Sequence, residues 1–174
     1  MKTQAIIDRL QHTPAAVAAL CAGLTPEQAC ARGPAGQWSI LEILGHLCDE
    51  ETLDFRARIE TSLRDPSAPW PGIDPEGWVK RHDYASRDLA ERQSTFARER
   101  AASVAWLRSL RDPAWSGTYL HPNHGPIAVG TLLVSWAAHD ALHIRQIAKR
   151  LYELATREGE PHGFTTLYAG EWGA

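Results

Sequence analysis

Two histidines stand one helical turn apart in the apolar run Trp136-Ala137-Ala138-His139-Asp140-Ala141-Leu142-His143-Ile144-Arg145-Gln146-Ile147. On a helix, residues four apart share a face with Cβ atoms about 5–6 Å from each other, so both rings can reach one ion at about 2.0–2.1 Å. Two imidazoles are half of a metal site, and the rest must come from elsewhere in the chain. Ser39-Ile40-Leu41-Glu42 has the form of a capping box, in which the Ser hydroxyl accepts from the Glu42 amide and the Glu carboxylate reaches back to the Ser amide. A helix therefore starts at Ile40, and His46 lies two turns in, with Glu42 and Glu50 four residues away on its own stripe. If this helix packs against the one bearing His139 and His143, three neutral imidazoles converge and leave coordination positions open for water or substrate. That is the arrangement of a catalytic site rather than a closed structural one.

Several neighbours carry chemistry of their own. Asp140 and Glu42 are placed to accept the second N–H of a ligating imidazole, although Glu42 is already accounted for as a cap. Glu50 reads as a fourth ligand, a general base or a solvated residue at the bundle mouth, and Glu50 and Asp140 are the candidates for moving a proton. His139-Asp140-x-x-His143 differs from the HExxH pattern of zinc peptidases only by Asp for Glu, but that chemistry needs the carboxylate to reach the metal-bound water, and Asp is one methylene shorter. His121 and His124 sit in the segment before the last helix, where they could face a substrate. Cys48 is two residues from His46 and so points off its stripe, reading as a small core hydrophobe. Cys21, Cys30 and Cys48 show no CxxC spacing, which suits free thiols in a reducing compartment.

The elements that must hold these residues are helical. Ile6, Ile7, Leu10, Val17, Leu20 and Leu24 predict a helix over 3–23, kinked or restarted at Thr13-Pro14. Thr25-Pro26 begins a short helical turn. Ile40, Leu41, Ile43, Leu44, Leu47, Phe55, Ile59 and Leu63 predict one long helix over 40–63. Residues 66–77, with Pro66, Pro69, Pro71 and Pro75, predict a crossover loop without regular structure, anchored by Trp70 and Trp78. A third long helix is expected over 86–110, with Leu89, Phe96, Val104 and Leu107 inward. Thr118 to Val129 reads as a small hairpin or a plain loop, and a fourth long helix spans 129–158 with Gly159 as its cap. The expected fold is all-α, a four-helix bundle with a long crossover, in a single domain over 1–174.

Composition narrows the partners. The 174 residues are 44% hydrophobic and 22% charged, with a formal net charge of -3. An acidic balance without a basic helix argues against nucleic acid. No apolar run of about 18 residues could span a bilayer and no signal-peptide core follows Met1, so a cytoplasmic address and no membrane partner are expected.

Taken in order, Trp38-Ser39-Ile40-Leu41-Glu42-Ile43-Leu44-Gly45-His46-Leu47, His121-Pro122-Asn123-His124-Gly125 and His139-Asp140-Ala141-Leu142-His143-Ile144-Arg145-Gln146-Ile147 resemble the DinB-like (YfiT-like) superfamily over about residues 5–155. The resemblance implies a divalent metal, zinc or nickel, on the matching positions His46, His139 and His143. It also implies a homodimer and a small-molecule substrate, with thiol transferases and isomerases using a low-molecular-weight thiol among the members. The family name derives from DNA damage induction and says nothing of DNA binding. Attack on a small electrophile by an activated thiol, hydrolysis by an activated water, and a non-catalytic metal-stabilised interaction module all use the same three ligands.

Overall fold

The computed structural model describes residues 1–170 and Trp172. Helix α1, Thr3–Leu20, turns Ile6, Ile7, Leu10 and Val17 inward. It runs through Pro14 instead of restarting there. Pro14 has no N–H for the carbonyl four residues back, and that Leu10 carbonyl is satisfied by the guanidinium of Arg100 at 2.8 Å. The helix also stops at Leu20, short of the predicted residue 23.

Helix α2, Pro26–Cys30, is capped by Thr25. Helix α3, Ile40–Asp49, starts at the predicted capping box, with Ser39 N–H donating to Glu42 at 2.8 Å and Glu42 N–H to Ser39 Oγ at 3.2 Å. The long helix expected over 40–63 is not continuous. Residues Glu50–Asp54 form a π-helical turn, and helix α4, Phe55–Arg64, follows after a break at Asp54 (φ -123°, ψ -95°).

The crossover is more ordered than its prolines predict. Helix α5, Pro75–Arg81, occupies part of the segment expected to be irregular, because Pro75 takes the first helical position and Asp74 accepts from Gly77 N–H at 3.0 Å. Trp78 is buried with Val79 and Tyr84. Trp70 stacks on Tyr119 at 4.1 Å and donates its Nε1–H to Ser62 at 2.7 Å, so both tryptophans anchor the crossover. Helix α6, Leu89–Ser109, begins at the Asp88 cap rather than at Ser86.

Strands β1, Thr118–His121, and β2, Gly125–Ala128, form an antiparallel hairpin with Thr118 opposite Ala128. Gly125 supplies the positive φ of its turn (+69°). Helix α7, Val129–Gly159, then runs 31 residues. Gly159 is helical and does not cap it. The left-handed glycine is Gly163, at φ +71° after one further turn.

The four long pieces, α1, α3 with α4, α6 and α7, form a bundle whose core is divided in two. One apolar cluster gathers Ile6, Ile7, Leu10, Phe55, Ile59, Val104, Leu107 and Trp136 with their neighbours. The other gathers Val17, Ile40, Ile43, Leu44, Leu47, Phe96, Ile147 and Leu154. Between them every long helix contributes buried polar groups: Thr13, then His46, Glu50, Glu51 and Asp54, then Arg100 and Ser103, then Asp140 and His143. Burying such groups costs stability unless they are paired or serve a ligand. This layer is where the chemistry lies.

Candidate metal centre

His46 enters the layer from the last turn of α3, and His139 and His143 from consecutive turns of α7. Their Nε2 atoms face one another. His46 Nε2 lies 3.2 Å and His143 Nε2 3.0 Å from His139 Nε2. Two nitrogens each about 2.0–2.1 Å from one ion would stand about 2.9 Å apart at a right angle and about 3.3 Å apart at the tetrahedral angle. The observed spacings fall between those limits, so the set fits a single divalent cation. The three rings are the ones whose ligand atoms lie within 4.8 Å of one another among the described residues.

Protonation agrees with that fit. Burial first, and then the neighbouring rings, pushes the His46 imidazole down to about 3. Burial likewise takes His139 to about 3 and lowers His143. All three are neutral at ordinary pH, the form that ligates. Gln146 Oε1 stands 2.8 Å from His143 Nδ1 and can only accept there, which places the proton on Nδ1 and leaves the Nε2 lone pair facing the centre. His46 Nδ1 has Glu50 Oε1 3.6 Å away, too far for a hydrogen bond, and His139 Nδ1 is buried without a partner. Trp38 packs on His46 and Phe55 on His139, at centroid distances of 5.0 and 5.3 Å.

The π turn shapes the wall beside His46. It puts Glu50 and Asp54 on the same side, both buried. Burial, reinforced by the Asp54 carboxyl, pushes Glu50 up to about 9, so it holds a proton at neutral pH. Burial also raises Asp54, against the pull of Arg58, whose Nε is 2.6 Å from Asp54 Oδ1 but poorly aligned for a hydrogen bond. The three histidines, Glu50 and Asp54 line the inner end of an open cleft of about 740 Å³.

The other predicted residues are placed elsewhere. Asp140 does not face the imidazoles. It is 3% exposed and accepts a two-pronged bond from Arg100, at 2.6 and 2.9 Å. The carboxylate that a peptidase reading needs beside the histidines is thus committed to a guanidinium. Arg100 also donates to Glu51 at 2.8 Å, and Trp136 Nε1–H to the same oxygen at 3.3 Å. Burial pushes Glu51 up while Arg100 pulls it down, and the bonded pair with Asp140 forms one buried ionic node. Glu42 caps α3 and takes the Arg32 fork at 2.6–3.0 Å, away from the histidines. His121 and His124 pack on each other at the hairpin turn, with tilted rings 4.6 Å apart, and do not line the cleft. Cys48 is buried, and burial pushes its thiol up to about 12, so it is unreactive.

Sequence reasoning missed Gln146, Asp54 and the Arg100 node. Gln146 had a usable signal, three residues beyond His143 on its helical face. Arg100 had none, since an arginine in an alanine-rich helix reads as a solvated residue.

A sequence model of the DinB superfamily matches residues 9–147. No curated protein matches the chain by sequence. Among solved structures, YfiT from Bacillus subtilis, described as a probable metal-dependent hydrolase with an unusual four-helix bundle topology, superposes with a TM-score of 0.79. It is 20% identical, and the match covers 88% of this chain and 87% of that one.

Proposed function

The chain belongs to the DinB superfamily, and from that membership and the cleft we propose that it is a divalent-metal-dependent enzyme that activates a small nucleophile, in the first instance a low-molecular-weight thiol, for attack on an electrophile. The observation that carries the reading is the convergence of three neutral ring nitrogens at the inner end of an open cleft. His46, His139 and His143 would hold the ion, and three imidazoles suit zinc or nickel. A bound divalent cation supplies Lewis acidity, making a thiol or water deprotonate near neutral pH. Gln146 fixes the donor nitrogen of His143. Glu50, buried beside His46, is the group that can hold or release a proton inside the cleft. Asp140 acts at a distance, by tying α7 to Arg100. Among the described residues the cluster has three ligands and no fourth, and it opens to solvent, features that favour catalysis over a metal clip between helices.

The test is an assay of the zinc- or nickel-loaded protein with a low-molecular-weight thiol and a chromogenic aryl halide. The S–C bond forms as chloride leaves, and the thiol proton passes to solvent. Product should require thiol, metal and His46, and His46→Ala should lose activity far more than stability. Hydrolysis is the second reading, favoured by what is said of YfiT. Cleavage of an activated ester without thiol, and no thiol-dependent product, would put it first. The homodimer belongs to the same proposal, and light scattering should return twice 19.3 kDa.

A further inference from the structure

Beyond the histidines the cleft runs outward along α7, and its lining changes character. His139, His143, Gln146 and Arg150 follow one another at helical spacing. Leu142, Arg145 and Lys149 form the adjacent stripe on the same wall. From His143 to Lys149 the helix rises about 9 Å.

Arg145 and Lys149 stand four apart, a like-charge spacing that a helix does not favour by itself. Neither forms an ion pair with a carboxylate among the described residues, whereas Arg150 does: its Nε lies 3.1 Å from Glu153 and its Nη2 donates to Gln37 at 2.6 Å. Arg150 is nevertheless only 5% exposed and leaves Nη1 buried without a partner. Gly33 makes room for that guanidinium, because a Cβ there would lie 1.2 Å from Arg150 Nη1. The carboxylates on the cleft wall do not neutralise this end. Glu50 lies at the histidine end, 3.6 Å from His46 Nδ1, Asp54 faces Arg58, and Glu76 is exposed and felt by Arg32. Leu142 and Ile73, 48% and 40% exposed, give the rim apolar surface.

Two cations on the cleft wall with no carboxylate partner among the described residues make a receptor for an anionic group. We propose that the molecule this cleft takes carries a carboxylate at the end remote from its reacting atom, received by Arg145 and Lys149, with Leu142 and Ile73 against the chain between. The proposal deepens the catalytic reading and rests on it for the reacting end, but the subsite can be tested without catalysis.

The probes are 6-mercaptohexanoate and 6-mercaptohexanol, equal in length and differing in the carboxylate. Each is titrated calorimetrically into the zinc-loaded protein and into the His139→Ala protein. The acid should bind about tenfold tighter than the alcohol, in line with a charge-assisted hydrogen bond, and the preference should shrink with added salt. It should persist in His139→Ala. The double variant Arg145→Gln/Lys149→Gln should reduce it to less than about twofold while helical content and metal content stay native. No saturable binding of the acid, equal binding of acid and alcohol, or a preference that survives the double variant overturns the proposal. A preference that holds in a protein without thiol-dependent activity leaves the subsite standing and removes the thiol-transfer reading instead.

Discussion

Gln146 can only accept at His143 Nδ1, so it decides which nitrogen of that ring is free. Gln146→Leu should weaken metal affinity by about 10- to 100-fold, the usual cost of losing a partner behind a ligand, as measured by competition with a chelator. Protonation gives a second expectation. Folding holds His46 and His139 at about 3, against about 6.5 in the unfolded chain. The unfolded chain therefore takes up protons first as pH falls. The contribution to stability is complete above about 6.5 and is lost as pH drops toward 3. Thermal unfolding of the metal-free protein from pH 7.5 to 4 should show the decline, and His46→Gln/His139→Gln should flatten it. Glu50 has the opposite sign. Its folded value of about 9 lies above the usual carboxyl range, so its contribution is present at low pH and is lost as pH rises toward 9. Glu50→Gln should raise the melting temperature of the metal-free protein at pH 8–9 and change it little at pH 5. A difference independent of pH would contradict the buried, protonated state.

The π turn at Glu50–Asp54 is the element that distinguishes this site from a plain helix pair. It carries one residue more than an α-helix needs, and Leu53, 38% exposed, is the residue whose loss disturbs least packing. Deleting Leu53 should turn the segment into plain α-helix, take Glu50 and Asp54 out of their shared wall beside His46, and weaken metal binding while far-UV helicity is kept. Unchanged metal affinity in that deletion would mean that the turn does not shape the site beside His46. The same turn marks where the sequence stops being legible. The Ser39–Glu42 box and the His139–His143 spacing are local, because a cap and an i, i+4 pair are fixed by neighbours along the chain, and both could be read directly. The apolar stripe of the second helix, however, passes from Leu47 to Phe55 across Glu50, Glu51 and Asp54. A continuous α-helix can place Glu51 inside only if something distant pairs it, and that partner is Arg100, 49 residues away. Proline misled in a different way: Pro75 starts α5 where four prolines together had suggested irregular chain, since the first turn of a helix needs no N–H from it.

At the scale of the molecule, Arg100 bonds to all three other parts of the bundle: the Leu10 carbonyl freed by Pro14 on α1, Glu51 in the π turn after α3, and Asp140 on α7. Removing it leaves two buried carboxylates without a counter-charge and the Leu10 carbonyl without a partner, so Arg100→Met should cost about 3–5 kcal/mol in chemical denaturation. Arg100→Lys should recover little, since an ammonium cannot bridge that fork. The node lies in the same polar layer as the imidazoles, near enough for the Arg100 charge to lower His139, and it holds His139 through the adjacent Asp140. No described helix is long and apolar enough to cross a membrane. The reading of the layer as a metal site rests on its three convergent imidazoles. Metal analysis tests that most directly. The purified protein, dialysed free of loose ions, should contain about one divalent ion per chain, as three convergent imidazoles require. His139→Ala should contain almost none while keeping native helicity. Equal metal content in the native protein and in His139→Ala would contradict the account at its centre.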